Sequence, residues 1–210
     1  MGPYACGIVI MVILWLTYRV LVGSWNPWKL VIGADGKPST SKLQWFLWTI
    51  VIIFAYTVIF AARVEKGIYE SVSEIPANLL IAMGLSITTM AASKGVTVAY
   101  LASGRITKSK AVKGAAAGPG SIIQDDYGFP DLSKIQMLAW TVIAIGTFVV
   151  HVAYQVNSAF PQLPDIDASI MVLMGLGQGA YLGKKLTTTS VPRLAGLSPG
   201  SGKPGTHITL

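Results

Sequence analysis

Charged residues are scarce in this sequence. Only 12% of its 210 residues are Asp, Glu, Lys or Arg, whereas 52% are hydrophobic. A soluble domain carries about 25% charged residues, so this chain has too little charge to cover a soluble surface. The scarcity excludes an ordinary soluble globule, a disordered chain and a nucleic-acid-binding domain, and we expect no nucleic acid among the partners.

Cysteine and catalytic motifs are also lacking. The single cysteine, Cys6, has no second cysteine with which to form an internal disulfide. No HExxH or CxxC motif occurs. Ionisable residues, which mark proton and ion relays inside membranes, are nearly absent from the apolar segments. The sequence therefore predicts a protein that is not an enzyme and has no cofactor and no metal site.

Long apolar segments are abundant instead. Five of them approach the ~20 residues that a membrane helix needs, namely residues 5–22, 43–62, 76–94, 135–156 and 167–184. The first has neither the basic start nor the cleavage site of a signal peptide, so we expect it to be retained. The predicted fold class is an all-α membrane protein with five transmembrane helices.

The basic residues lie mostly on one side of these segments. Fourteen of the 16 fall in or beside the loop between segments one and two, the loop between three and four, or the tail, whereas Arg63 and Lys66 follow segment two. Basic loops stay in the cytoplasm. We therefore expect a multi-pass protein of the bacterial inner membrane, with its N-terminus outside and its C-terminus in the cytoplasm.

Segments two and three resemble segments four and five. Residues 41–44, 48–49 and 83–85 recur as 133–136, 140–141 and 174–176. This pattern predicts one N-terminal helix followed by a parallel duplication of a two-helix hairpin about an axis along the membrane normal. The predicted parts are an N-terminal helix with its linker (1–32), a first hairpin repeat (33–102), a basic and glycine-rich cytoplasmic linker (103–130), a second hairpin repeat (131–186) and a Pro/Gly/Ser-rich cytoplasmic tail (187–210).

A Ser-x-x-Gln pattern opens both predicted repeats. Ser41 with Gln44, and Ser133 with Gln136, have the spacing of a capping box. In that motif the serine caps the helix start and the glutamine reaches back to it. We expect these four residues to begin the two helices rather than to bind a ligand.

Small and uncharged polar residues mark segments three and five. Small residues at every fourth position let helices approach closely in lipid, and uncharged polar residues also line some pores. The residues predicted to serve helix packing or pore lining are Gly84, Ser86, Thr88, Gly175, Gln178, Gly179 and Gly183. Packing and hydrogen bonding between helices is the favoured interpretation, and a subunit interface or a pore is the alternative.

The loops on the two sides differ in charge. The acidic residues of the outer loops are Glu70, Glu74, Asp165 and Asp167. Carboxylates just before a helix start favour the helix dipole, and in a ring of subunits they would attract cations to a mouth. The basic residues of the long inner loop are Arg105, Lys108, Lys110 and Lys113. Such a segment suits anionic lipid headgroups.

The tail resembles a known domain family. A proline-led segment at 191–197, a Ser-Pro-x-Ser-Gly-x-x-Gly turn at 198–205 and a strand-like segment at 206–210 resemble the opening of an IPT/TIG immunoglobulin-like domain. A complete sandwich of this kind needs ~100 residues, so the resemblance implies a longer chain or a remnant. The membrane segments resemble only stretches of uncharacterised bacterial membrane proteins.

Two functions are compatible with these patterns. The first is a non-enzymatic integral membrane module that self-assembles into a homo-oligomer and anchors a larger complex, a partner at its cytoplasmic face or a soluble C-terminal domain. The alternative is an oligomeric ion channel whose third and fifth helices line the pore. A secondary transporter ranks third, because repeats are common in transporters, and a membrane enzyme ranks last.

Overall fold

Five α-helices make up most of the chain. The computed structural model describes residues 2–33, 37–70, 72, 74–104, 119–125 and 128–187, and within these residues it contains no strand. The helices are α1 (Pro3–Val22), α2 (Thr40–Glu65), α3 (Ala77–Ala102), α4 (Leu132–Val156) and α5 (Ala168–Thr187). Short 3₁₀ turns at Pro27–Leu30 and Pro119–Ile123 precede α2 and α4.

Four of these helices, α1 to α4, are long and apolar enough to cross a membrane. The helix α5 has 20 residues, which at ~1.5 Å per residue suffices for a hydrocarbon core of ~30 Å. Gln178, Lys184 and Lys185 make it less apolar than the other four. An all-α membrane protein is therefore confirmed, whereas the fifth crossing stays a prediction.

Four of the helices form a ring. The helix α2 packs on α3 and α4, and α5 packs on the same two helices. The helix α1 lies outside the ring against α2. It approaches α2 at Gly7, where an added Cβ would lie 2.7 Å from atoms of both Phe54 and Val58. Most other side chains of α1 are apolar and exposed, as expected of a helix that faces lipid.

Apolar side chains fill the centre of the ring. Trp48 of α2 and Phe148 of α4 meet edge to face, with ring centroids 6.3 Å apart. Leu79 of α3 and Met174 of α5 complete this cluster, and all four side chains are fully buried. The inside of a single copy is therefore a packed core.

Contacts at both ends of the bundle define how α3 and α5 run. At one end the Asn78 amide donates to Asp165 Oδ2 and to Ile166 O, both over 3.0 Å. At the other end the Tyr100 hydroxyl donates to Leu186 O. The helix α5 therefore lies alongside α3 and in the same direction over its whole length.

The two hairpins pack side by side through unlike faces. Gln44 Nε2 of α2 donates to Thr141 Oγ1 of α4 over 2.9 Å. The residues at the matching positions in the other hairpin are Gln136 and Thr49, and they do not meet: Gln136 is exposed, and the Thr49 hydroxyl donates to Trp45 O. A two-fold axis would pair both sets of residues equally, so no two-fold axis relates the two hairpins, although α3 and α5 run in the same direction.

Candidate functional site

A layer of buried polar side chains crosses the bundle. Each helix of the ring contributes one residue, and we call Gln44, Thr89, Thr141 and Gln178 the polar layer. Besides the bond from Gln44 to Thr141, the Thr89 hydroxyl donates to Gln178 Oε1 over 2.7 Å. The Thr141 hydroxyl donates in turn to Met137 O over 2.8 Å. The layer thus joins α2 to α4 and α3 to α5.

Helix geometry brings these residues to one depth. The hydroxyls of Ser41 and Ser93 lie 3.3 Å apart, so α2 and α3 are level at this point. Gln44 lies three residues beyond Ser41, and Thr89 lies four residues before Ser93, so antiparallel helices with a rise of ~1.5 Å per residue carry both to nearly the same height.

Three polar atoms in this region have no hydrogen-bond partner among the residues that the structure describes. They are Gln44 Oε1, Trp48 Nε1 and Gln178 Nε2. Two of them are donors and one is an acceptor, a set that does not suit a cation. Among the described residues there is also no cluster of three His, Cys, Asp or Glu side chains that would hold a metal ion. The arrangement is suited to holding helices together.

The residues predicted for packing or pore lining divide into two groups. Ser86 and Gln178 point into the ring, and the Ser86 hydroxyl donates to Ala82 O over 2.9 Å. Most of the others face outward: Gly84, Thr88, Gly179 and Gly183 are exposed, and Gly175 is half-buried. An added Cβ at any of these four glycines would meet nothing within 4 Å. The expectation that the glycine stripe packs the hairpins together is wrong.

A different glycine makes the close approach. An added Cβ at Gly177 would lie 3.3 Å from Met137 Cα and 3.7 Å from Trp140 Cδ1. The backbones of α4 and α5 therefore nearly touch there. Gly177 falls outside the four-residue spacing of Gly175, Gly179 and Gly183, which is why that pattern led away from it.

The predicted capping boxes are also wrong. The N-cap of α2 is Ser39 and that of α4 is Asp131, each two residues before the predicted serine. The Ser41 hydroxyl lies 3.2 Å from that of Ser39 as well as close to Ser93, and Ser133 donates its backbone N–H and its hydroxyl to Asp131 Oδ1. Neither Gln44 nor Gln136 reaches back to the helix start, since Gln44 is bonded to α4 and Gln136 is exposed.

The described parts of two loops, at the end of the bundle where α5 ends, share the same features. In each, a 3₁₀ turn is followed by an isolated antiparallel bridge, between Ile32 and Pro38 in one loop and between Gln124 and Pro130 in the other. A lysine ties each loop to the following helix: Lys42 Nζ donates to Ile32 O, and Lys134 Nζ donates to Gln124 O. We call the described residues 27–33, 37–39, 119–125 and 128–131 the paired-loop platform.

The platform extends the predicted repeat upstream. Its turns begin at Pro27 and Pro119, whereas the matching residues noted in the sequence begin at Ser41 and Ser133. Pro38 and Pro130 match at the same offset. These prolines lie outside the apolar segments, and their spacing is the sequence signal that would have predicted the longer repeat.

Polar contacts join the platform into one unit. The Thr40 hydroxyl donates to Ile122 O over 2.7 Å and links the two loops. Lys184 of α5 forms an ion pair with Asp131, with 2.9 Å between Nζ and Oδ2. Burial alone would raise the pKa of Asp131, but the hydrogen bonds from Ser133 and the charge of Lys184 outweigh it and lower that pKa below its ordinary value.

The acidic residues at the opposite end do not form a cluster with each other. Asp165 accepts the bond from Asn78 that ties α5 to α3. Asp167 lies at the start of α5, where the N–H of Ser169 donates to Oδ1 over 2.7 Å and lowers the pKa of the carboxyl. Glu70 and Glu74 are exposed. The role at a helix start that the sequence predicts therefore applies to Asp167.

Some predicted sites lie outside the described residues. They are the basic segment with Arg105, Lys108, Lys110 and Lys113, and the IPT/TIG-like tail at 191–210.

Comparison with known proteins assigns no family. No protein-family model matches the chain, and no curated protein or solved structure matches it.

Proposed function

We propose that this protein is a non-enzymatic integral membrane module that self-assembles and anchors a larger complex, or a soluble C-terminal domain, at the membrane. The paired-loop platform carries the proposal. The described residues of its two loops, which Thr40 joins to each other and the Asp131–Lys184 ion pair joins to α5, form a connected surface at the end where α5 ends. The helix α5 ends at Thr187, three residues after the Lys184 that contacts this surface.

The bundle interior supports an assembly role. The side chains of the polar layer form hydrogen bonds to neighbouring helices, and apolar side chains fill the core around Trp48 and Phe148. Small and apolar residues face outward, including Gly84 and Gly179. Small residues on an outer face allow close helix association in lipid.

The proposal includes five membrane crossings. The helix α5 starts beside the start of α3 and ends beside its end, so a membrane that α3 crosses is crossed by α5 as well. Because most basic residues lie in the sequence segments that adjoin the platform, the positive-inside rule favours a cytoplasmic platform. The N-terminus is then outside the inner membrane and the C-terminus is in the cytoplasm. Anionic lipid headgroups are the proposed contact of the basic loop after α3.

Co-purification tests the anchoring proposal. Two copies of the full chain with different tags are expressed together, and one tag is used for isolation from solubilised membranes. We expect the second tag, or a stoichiometric cytoplasmic protein, to co-purify. Mixing the two tagged proteins only after solubilisation is the control for association in detergent. A monomer without any partner would contradict the proposal.

An ion channel formed between copies is the second candidate, and the outward position of the polar Thr88 beside Gly84 favours it. In such a channel the lining would be this outer face of α3, because Gln178 is buried and bonded to Thr89. Single-channel recording in a planar bilayer shows which of Thr88 and Gln178 affects the conductance. A channel of this kind would change its conductance in Thr88→Leu and keep it in Gln178→Leu. A silent bilayer with folded, inserted protein would remove the channel.

A further inference from the structure

The contact between the two hairpins uses one face of the first and a different face of the second. On α2 the contacting face contains Gln44 and Trp48, and on α4 it contains Thr141 and Phe148. When two related units associate through unlike faces, each face has a counterpart on the other unit that stays unused. Here both unused counterparts lie on the surface of the chain.

One unused surface lies on α4 and consists of the residues that match the Gln44 face of α2. Gln136 and Trp140 occupy the positions that Gln44 and Trp48 occupy in the first hairpin. Gln136 is exposed, Trp140 is half-buried, and further along the same side Ile143 and Tyr154 are exposed by 47% and 78%. Trp140 lies partly against the core beside Gly177 of α5, whereas Gln136, Ile143 and Tyr154 leave the rest of this surface exposed in the described chain.

The unused counterpart on α2 repeats the Thr141 face. Thr49 and Tyr56 match Thr141 and Phe148. The Thr49 hydroxyl donates to the carbonyl four residues earlier over 2.9 Å, as the Thr141 hydroxyl does over 2.8 Å, so the Thr49 oxygen is equally free to accept an amide. Tyr56 is 39% exposed.

The helix α1 leaves this second surface open. It covers α2 at Phe54 and Val58. At ~100° per residue, Thr49 and Tyr56 lie more than a quarter turn away from that contact around the helix. A further helix therefore reaches Thr49 and Tyr56 without displacing α1.

We infer that copies of this chain associate head to tail, with the α4 surface of Gln136 and Trp140 against the α2 surface of Thr49 and Tyr56 in the next copy. The contact repeats the one inside each chain. Gln136 donates to Thr49 as Gln44 donates to Thr141, and Trp140 meets Tyr56 as Trp48 meets Phe148. An association of this type is heterologous, and it closes into a ring when the rotation between copies allows it.

The second pair of helices fits the same arrangement. Inside the chain, Thr89 of α3 contacts Gln178 of α5. Between copies the matching residues are Ala180 of α5 in one copy and Ile87 of α3 in the next. Both residues are exposed in the single chain, and both are apolar. This part of the interface is therefore compatible with lipid before assembly and with another helix after it.

The inference deepens the proposed self-assembly and rests on it. Its test uses full-length chains in which Cys6 is replaced by Ala, so that introduced cysteines are the only thiols. One protein carries Thr49→Cys and a second carries Gln136→Cys. Both are expressed together in one membrane and treated with a short, membrane-permeant bis-methanethiosulfonate cross-linker. A chain with Gln44→Cys and Thr141→Cys shows that the reagent joins this pair where the contact exists.

We expect cross-linked dimers when the two variants are present together and none when either is present alone. Dimers of Gln136→Cys alone or Thr49→Cys alone would show like faces together and would overturn the inference. Native mass spectrometry separates the remaining outcomes. No cross-link in a protein with oligomeric mass overturns this interface and leaves the proposed self-assembly standing. No cross-link in a monomeric protein overturns both.

Discussion

The hydroxyl of Thr89 illustrates how single side chains hold this bundle together. It donates to Gln178 Oε1 over 2.7 Å, and both residues are about 2% exposed. No water competes for such a bond in the core, yet hydrogen bonds between membrane helices average only about 0.6 kcal/mol. Several weak bonds therefore act together with close packing.

Thr89→Val should destabilise the protein by about 1 kcal/mol, because it removes this bond and leaves the Gln178 amide without a partner. The neighbouring Thr88→Val is the matched control, since Thr88 is exposed. The measurement is reversible unfolding in mixed micelles. Equal stability of the two variants would contradict a structural role for the polar layer.

Asp131 gives the platform a defined pH dependence. Its pKa is lowered below the ordinary value of 3.8, so the charged carboxylate stabilises the fold above that pH, and the contribution is lost as the pH falls through the lowered pKa. Asp131→Asn should unfold more easily than the parent at pH 6, and the difference should shrink below pH 3.8. The measurement is the thermal unfolding of both proteins at each pH, monitored by circular dichroism. The exposed Glu70→Gln is the control and should show no such difference.

At the level of the helices, α5 is positioned by one glycine. Gly177 lets its backbone approach α4, and an added Cβ would press on the Met137 backbone at 3.3 Å. Of the glycines on either side of it, Gly179 is exposed and Gly175 is half-buried, and an added Cβ at either would meet nothing within 4 Å. Glycine spacing along a helix therefore does not by itself identify the packed face, because burial depends on which side the neighbouring helices occupy.

Gly177→Val should destabilise the α4–α5 contact by about 1–3 kcal/mol, since a packed core resists added volume. Gly179→Val inserts the same side chain two residues away, where an added Cβ meets nothing within 4 Å. We expect Gly179→Val to unfold like the parent in the monomeric detergent-solubilised protein. If Gly179→Val were the less stable of the two, the orientation of α5 would be wrong.

The lengths of the apolar segments predicted the positions of the helices well. The sequence predicted the contacts between the helices poorly. All five helices lie where the sequence placed apolar segments, because burial in lipid depends on composition along the chain. Ser41 and Ser133 failed as caps because Ser39 and Asp131 are also good cap residues and lie nearer the turns. The tertiary partners of Gln44 and Gln178 were not predictable, since one sequence does not show which faces meet.

The whole molecule has two ends of different character. Lysines and ordered loops lie at the platform end, and the acidic residues Asp165 and Asp167 lie at the other. In the proposed topology the platform lies in the cytoplasm and α5 crosses the membrane beside α3.

Cysteine accessibility tests this topology. In a chain with Cys6→Ala, a membrane-impermeant maleimide added to spheroplasts should label Glu70→Cys and Asp165→Cys, and it should label Lys29→Cys and Thr187→Cys only after lysis. Labelling of Asp165→Cys and Thr187→Cys under the same condition would show that α5 does not cross. Labelling of Lys29→Cys in intact spheroplasts would reverse the orientation.

The proposed anchoring role, the alternative ion channel and the head-to-tail interface all require self-assembly of this chain or build on it. Native mass spectrometry of the protein released directly from membrane vesicles tests it without detergent exchange. We predict a defined species at a multiple of 22.3 kDa, which falls to the monomer when Trp140→Ala and Tyr56→Ala remove the aromatic pair proposed between copies. A single species at the monomer mass, found at every protein density in the membrane, would contradict it.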